Sequence, residues 1–150
     1  MIIGLDFDDV IVDTYEPYFA YAQKYTVDVL KREPIISDEG DIDSSCYCTF
    51  IHNWTQKEED DFWEKNVETV TRQAKLKTLA KETIEKLRKE GHKIVIITSR
   101  TGIEVDITYE YLNKEGIVVD KIITGAVEKG ELAKKNKIDV FVDDNYKHCK

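Results

Sequence analysis

Carboxylates close the first and last apolar runs of this chain. Ile2-Ile3-Gly4-Leu5 runs into Asp6, Asp8 and Asp9, and the run from Ile138 to Val142 ends in Asp143-Asp144. Between them, Ile94-Val95-Ile96-Ile97 ends in Thr98, Ser99 and Arg100, and Lys129 opens a later helical stretch. Acidic groups gathered within a few ångström repel one another, and a divalent cation relieves that repulsion. An all-oxygen donor set of this kind suits Mg²⁺. The hydroxyl of Thr98 and the ammonium of Lys129 are donors that fit the oxygens of a transferring phosphoryl group. Asp6 has the chemistry of a nucleophile, since carboxylates form acyl phosphates. Asp8 lies two residues on, so along a continuing strand it would share a face with Asp6. There it could protonate a leaving oxygen and later deprotonate water.

These residues act together only if folding gathers them. The apolar run closing on Asp6 reads as a buried strand. Tyr18, Ala22, Tyr25 and Val29 recur at helical spacing from Thr14 to about Lys31, and Pro34 ends that pattern. Residues 35 to 53 are irregular. Thr55-Gln56-Lys57-Glu58 matches a capping box that predicts a helix to about Gln73. Leu76, Leu79, Ala80, Thr83, Ile84 and Leu87 predict a further helix closed by Gly91. From there the pattern alternates. Strands are expected at Lys93 to Thr98, Lys121 to Thr124 and Ile138 to Val142. Helices are expected from Ile103 to about Glu115 and from Glu128 to about Asn136. Strand and helix taking turns imply an α/β fold with a parallel sheet. Ligands bind at the carboxyl ends of such strands, which is where each polar group named above falls. The helical stretch interrupts the alternation. The expected organisation is therefore a core of residues 1–13 and 74–150 with a small helical cap, residues 14–73, inserted after the first strand.

Composition bounds the function. A chain of 150 residues with 41% hydrophobic and 35% charged residues is one globular domain with a heavily charged surface. No apolar run approaches the ~20 residues of a membrane span. The N-terminus carries no basic segment or cleavable apolar stretch, so a cytoplasmic protein is expected. A net charge of -8 disfavours nucleic acid polymers as partners, but not a single nucleotide. Three cysteines, an odd number, read as reduced thiols. Cys46-x-Cys48 with His52 nearby lacks a fourth zinc ligand at the usual spacing and reads as thiols in the cap loop. His148 and Cys149, near the tail, are expected to be exposed and idle.

Asp6-Phe7-Asp8-Asp9-Val10 after an apolar strand resembles motif I of the haloacid dehalogenase (HAD) superfamily, Asp-x-Asp-x-Val/Thr. Ile94 to Thr98 resembles motif II, Lys129 motif III, and Asp143-Asp144 motif IV. The four stand in the family's order along the whole chain. The resemblance implies a three-layer, Rossmann-like HAD core. It implies Asp6 as nucleophile and metal ligand, and Asp8 as general acid/base that also gives the metal its backbone carbonyl. Thr98 and Lys129 would hold the phosphoryl oxygens, and Asp144, supported by Asp143, would complete a Mg²⁺ site. The second aspartate of motif I favours phosphoryl chemistry over carbon–halogen cleavage.

Within the superfamily the likeness extends to the 5'(3')-deoxyribonucleotidase-like group, through Asp-Phe-Asp-Asp-Val, the aromatics Trp54, Phe62 and Trp63, and Thr98-Ser99-Arg100. It implies an aspartyl-phosphate phosphatase for a small phosphorylated metabolite, with a nucleoside monophosphate one candidate. Ser99, Arg100 and a base-stacking Trp54 would then contact substrate. The aromatics also read as plain cap core, and Arg100 as a surface ion pair. The family continues past motif IV with a further helix and strand, whereas this chain ends six residues after Asp144. A smaller sheet, a truncation, or completion by a partner copy in a homo-oligomer are the expectations there. Two other classes stay open: a phospho-aspartate signalling domain, and a HAD-like protein that binds a ligand with little turnover.

Overall fold

The computed structural model describes residues 1–34 and 52–149. Four short strands form a parallel sheet: β1 (Ile2–Leu5), β4 (Lys93–Ile97), β5 (Lys121–Ile123) and β6 (Val140–Val142). Their spatial order is β5-β4-β1-β6. Leu5 is in register with Ile96 on one side and Val142 on the other. The residues that follow these strands therefore emerge together at one edge.

Strand residues are apolar on both faces because both are covered. On one side Ile3, Ile94 and Ile96 pack with Ile84, Leu112 and Ile117. These come from α3 (Ala80–Lys89), α4 (Ile103–Glu115) and the residue after its Gly116 cap. On the other side Val95 and Ile97 pack with Ala126 and with Ala133 of α5 (Lys129–Lys135). Helix, sheet and helix make the three-layer α/β fold expected from the sequence. Gly4 is required by close approach: a Cβ there would lie 2.9 Å from the Phe141 ring and 3.0 Å from Ile138.

Helices α1 (Tyr15–Asp28) and α2 (Gln56–Gln73) build a separate aromatic cluster of Tyr18, Tyr25, Trp54, Phe62 and Val70. The capping box forms as read: Glu58 N–H donates to Thr55 Oγ1 (3.3 Å), and Thr55 N–H donates to Glu58 Oε2 (2.9 Å). Val29 does not join the buried face. It caps α1 and is half exposed.

One part of the sequence reading is corrected. The stripe beginning at Leu76 is not all helix. Lys75–Leu76 is a strand, β3, paired antiparallel with β2 (Val12–Asp13), and Leu79 is a 64% exposed residue with φ 63° just before α3. Helical spacing fits a Leu at 76 and 79 equally well, so periodicity alone could not see that pairing with Val12–Asp13 ends the pattern. The β2–β3 pair brings residues 13 and 75 side by side, so the chain between them leaves and returns at one place. No helix among the described residues is long and apolar enough to cross a membrane.

Candidate active site

Asp6 leaves the end of β1, the strand flanked by β4 and β6. Its N–H donates to Val142 O (2.9 Å), extending the β1–β6 ladder by one residue. The carboxylate is 4% exposed. Its Oδ1 accepts from Phe7 N–H (2.7 Å), and its Oδ2 lies 2.6 Å from Lys129 Nζ. Lys129 is the first residue of α5 and is itself buried, so its ammonium is shared: it also donates to Asp143 Oδ2 at 3.0 Å. Asp143 and Asp144 follow β6. Asp6, Asp143 and Asp144 each bring a carboxylate oxygen within 4.8 Å of the others.

Three carboxylates around one ammonium leave the cluster electrostatically unbalanced. Burial, reinforced by the charge of Asp143 and opposed by Lys129, pushes the Asp6 carboxyl up to about 7. Burial and Asp143 also raise Asp144. Burial alone would lower the Lys129 ammonium, but Asp6 and Asp143 outweigh it and raise it. Groups in this state favour a proton or a cation, and a donor set made wholly of carboxylate oxygens matches a hard divalent ion. The sequence-predicted metal ligands Asp6, Asp143 and Asp144 are thus brought together.

Asp8 stands apart from that cluster, and the reason corrects the sequence reading. The strand does not continue past Leu5. Ile11 and Val12 N–H both donate back to Phe7 O, and Asp9 takes a left-handed φ of 58°. The chain turns sharply, so the alternation rule does not apply to Asp8. Its carboxylate accepts from Thr14 Oγ1 (2.5 Å) and from the Arg100 guanidinium at two points, Nη2 to Oδ1 (2.6 Å) and Nε to Oδ2 (2.9 Å). Asp9 instead closes the turn, accepting from the Thr14 and Tyr15 N–H groups through Oδ1. Burial raises its carboxyl despite these bonds.

Thr98, at the end of β4, is fully buried, and its Oγ1 accepts from Arg100 N–H (3.2 Å). Ser99 between them is exposed. Two residues expected to contact substrate are buried in this structure. Arg100 is 3% exposed, and its guanidinium is spent on Asp8 and Thr108 while lying over the Phe7 ring at 4.5 Å. Its ion pair with Asp8 is thus part-buried and not a surface one. Trp54 is 4% exposed, set among Tyr25, His52 and Phe62, with Nε1 donating to Thr26 Oγ1 (3.1 Å). Its ring packs within the cluster built around α1 and α2.

His148 is also corrected. It is not idle, because a 3-10 turn (Tyr146–Cys149) brings its Nδ1 to 3.1 Å from Asp143 Oδ2. Nothing in a terminal Lys-His-Cys-Lys announces that contact. Cys46 and Cys48 lie outside the described residues. His52 is buried against Trp54, with neither ring nitrogen paired among the described residues, and burial pushes its imidazole down to about 4.

The profile of the haloacid dehalogenase-like hydrolase family matches residues 3–138. The chain belongs to that family. It is a HAD-like hydrolase by descent as well as by architecture. It is 31% identical over 147 residues to the Bacillus subtilis (strain 168) protein named "Putative nucleotidase YqfW", covering 96% of this chain and 70% of the relative. Solved structures share the fold at low identity. A HAD hydrolase, family IA, variant 3, from Entamoeba histolytica HM-1:IMSS superposes with a TM-score of 0.67 at 15% identity, covering 98% of this chain and 78% of that one. A HAD-superfamily hydrolase, subfamily IA, variant 1, from Geobacter sulfurreducens PCA does so with a TM-score of 0.58 at 15% identity, covering 97% and 78%.

Proposed function

We propose that this HAD-like hydrolase is a Mg²⁺-dependent phosphatase of small phosphomonoesters that works through an aspartyl-phosphate on Asp6. One observation carries the reading: a buried carboxylate at the end of the central strand shares a single buried ammonium with a second carboxylate. Such a group is primed for a cation and held in one orientation. Asp6, Asp143 and Asp144, with the backbone carbonyl of Asp8, would hold Mg²⁺, which when bound neutralises charge on the carboxylates and the phosphoryl group.

The chain's own groups do the rest. An Asp6 carboxylate oxygen attacks phosphorus, and the phosphorus–oxygen ester bond breaks. The leaving oxygen takes a proton from the Asp8 carboxyl. Asp8 then removes a proton from water as that water attacks the same phosphorus. The Asp6–phosphorus bond breaks, inorganic phosphate leaves, and the Asp6 carboxylate returns. Lys129 Nζ and the Thr98 hydroxyl donate to the phosphoryl oxygens where charge collects.

Residues 14–73 act in this reading as a cap. In support, α1 and α2 carry their own aromatic core, and the cap meets α4 through the Arg72–Glu110 ion pair (2.9 Å). A nucleoside monophosphate is the proposed substrate class, supported by the nucleotidase name of the Bacillus relative and by the exposed Ser99 beside Thr98.

The test is phosphate release from p-nitrophenyl phosphate and from nucleoside monophosphates, with Mg²⁺ and with a chelator. Turnover should need Mg²⁺ and vanish in Asp6→Asn. A wild-type protein inert toward every monoester, or an Asp6→Asn protein with full activity, rejects the proposal.

A further inference from the structure

The sequence reading gave Arg100 a substrate contact and singled out nothing at Thr108, yet the two form one connected set with Asp8. Arg100 Nη1 donates to Thr108 Oγ1 (2.9 Å), and the Thr108 hydroxyl donates to Glu104 O (2.7 Å) within α4. The guanidinium is thereby fixed from behind by a helix and from below by the Phe7 ring. Its remaining edge meets Asp8 with two parallel bonds, the geometry that only a planar fork can supply. Both Arg100 and Thr108 are buried, so side-chain entropy is already spent and the bonds are shielded from water.

A carboxylate has about four acceptor positions. Asp8 Oδ1 accepts from both Arg100 Nη2 and Thr14 Oγ1, which fills it. Among the described residues, Oδ2 accepts from Arg100 Nε alone. One lone pair of Oδ2 is thus left, and it is the position at which a proton can be carried. Arg100 also bonds Thr98, its backbone N–H donating to the Thr98 hydroxyl oxygen.

We infer that Arg100, backed by Thr108, is a positioning residue that clamps Asp8 so that Oδ2 is the atom exchanging a proton with the leaving group and with water. The inference rests on the phosphatase reading above. It replaces the expectation that Arg100 binds substrate.

The experiment compares kcat/KM for an alkyl phosphate, whose leaving oxygen needs a proton, with that for p-nitrophenyl phosphate, whose leaving oxygen barely does. The variants are Arg100→Lys, Thr108→Val, Asp8→Asn and the Arg100→Lys/Asp8→Asn pair. Arg100→Lys keeps the charge but breaks the two-point grip. It should lose on the order of 10²-fold on the alkyl ester, within the range general acid catalysis supplies, and less than about tenfold on the aryl ester, with KM little changed. Asp8→Asn should show the same substrate-dependent pattern, and the double variant should be no worse than Asp8→Asn alone. Thr108→Val leaves the ion pair in place and should shift both ratios in the same direction by less, so a poorly folding Arg100→Lys protein does not block the test.

Equal losses on both esters, losses that multiply in the double variant, or an effect confined to KM would overturn the clamp while leaving the phosphatase reading intact. A wild-type protein inactive on both esters would overturn both.

Discussion

Replacing Asp6 with asparagine should abolish turnover and, at neutral pH without metal, make the protein more stable. The reasoning starts from the crowding of carboxylates around Lys129. Asp6 ordinarily ionises near 3.8, and burial beside Asp143 pushes it up to about 7. The folded protein then holds this proton more tightly than the unfolded chain does. Stability from protonation is fully present below about 3.8 and is lost as pH rises through about 7. At about 1.4 kcal/mol for each tenfold change in proton affinity, the ionised group opposes folding by about 4 kcal/mol at pH 8. Asparagine carries no charge and escapes that opposition. It has one acceptor oxygen where Asp6 accepts from both Phe7 N–H and Lys129 Nζ. One of those bonds is lost, at about 1–3 kcal/mol.

The net gain at pH 8 is about 1–3 kcal/mol, or roughly 5 °C in Tm for a domain of this size. The assay is thermal or urea unfolding of both proteins in chelator between pH 5 and pH 8. The advantage of Asp6→Asn should grow with pH and disappear or reverse near pH 5, where the wild type is itself protonated. Added Mg²⁺ should stabilise the wild type more than the variant. A difference that stays flat across that range, or a variant less stable at pH 8, would show that Asp6 is not under electrostatic strain.

Three further outcomes are expected. Lys129→Met leaves Asp6 and Asp143 buried without their shared cation, so unfolding in chelator should show a loss of about 3–5 kcal/mol that Mg²⁺ partly restores. Thr55→Ala removes one half of the capping box and should lower stability by about 1 kcal/mol by urea titration while kcat stays close to wild type. Gly4→Ala drives a methyl against Phe141 and Ile138, and should cost about 1–3 kcal/mol together with activity, because Asp6 lies two residues on, just past the end of β1.

The sequence by itself determined the alternation of strand and helix after Gly91 and the residues that end each strand. Apolar runs closed by polar groups have a local signature, and a parallel sheet sends every such end to the same edge. That was enough to expect Asp6, Thr98, Lys129, Asp143 and Asp144 at one edge, where Asp6, Lys129, Asp143 and Asp144 do meet, and the motif order named the family. The capping box at Thr55 was legible for the same reason, since its two hydrogen bonds span only three residues.

What the tertiary structure alone decided are the contacts between residues far apart in sequence. The β2–β3 pair joins positions about 60 residues apart, and nothing in Val12-Asp13 or Lys75-Leu76 announces a partner. Arg100 reaches Asp8 across 92 positions, a pairing that neither residue's neighbours announce. Trp54 looked available for stacking because an aromatic residue near a helix start has the same pattern whether its ring faces outward or inward. Sequence records the chemistry each side chain can do, whereas its partner, and hence its task, depends on which other segments folding brings within hydrogen-bond reach.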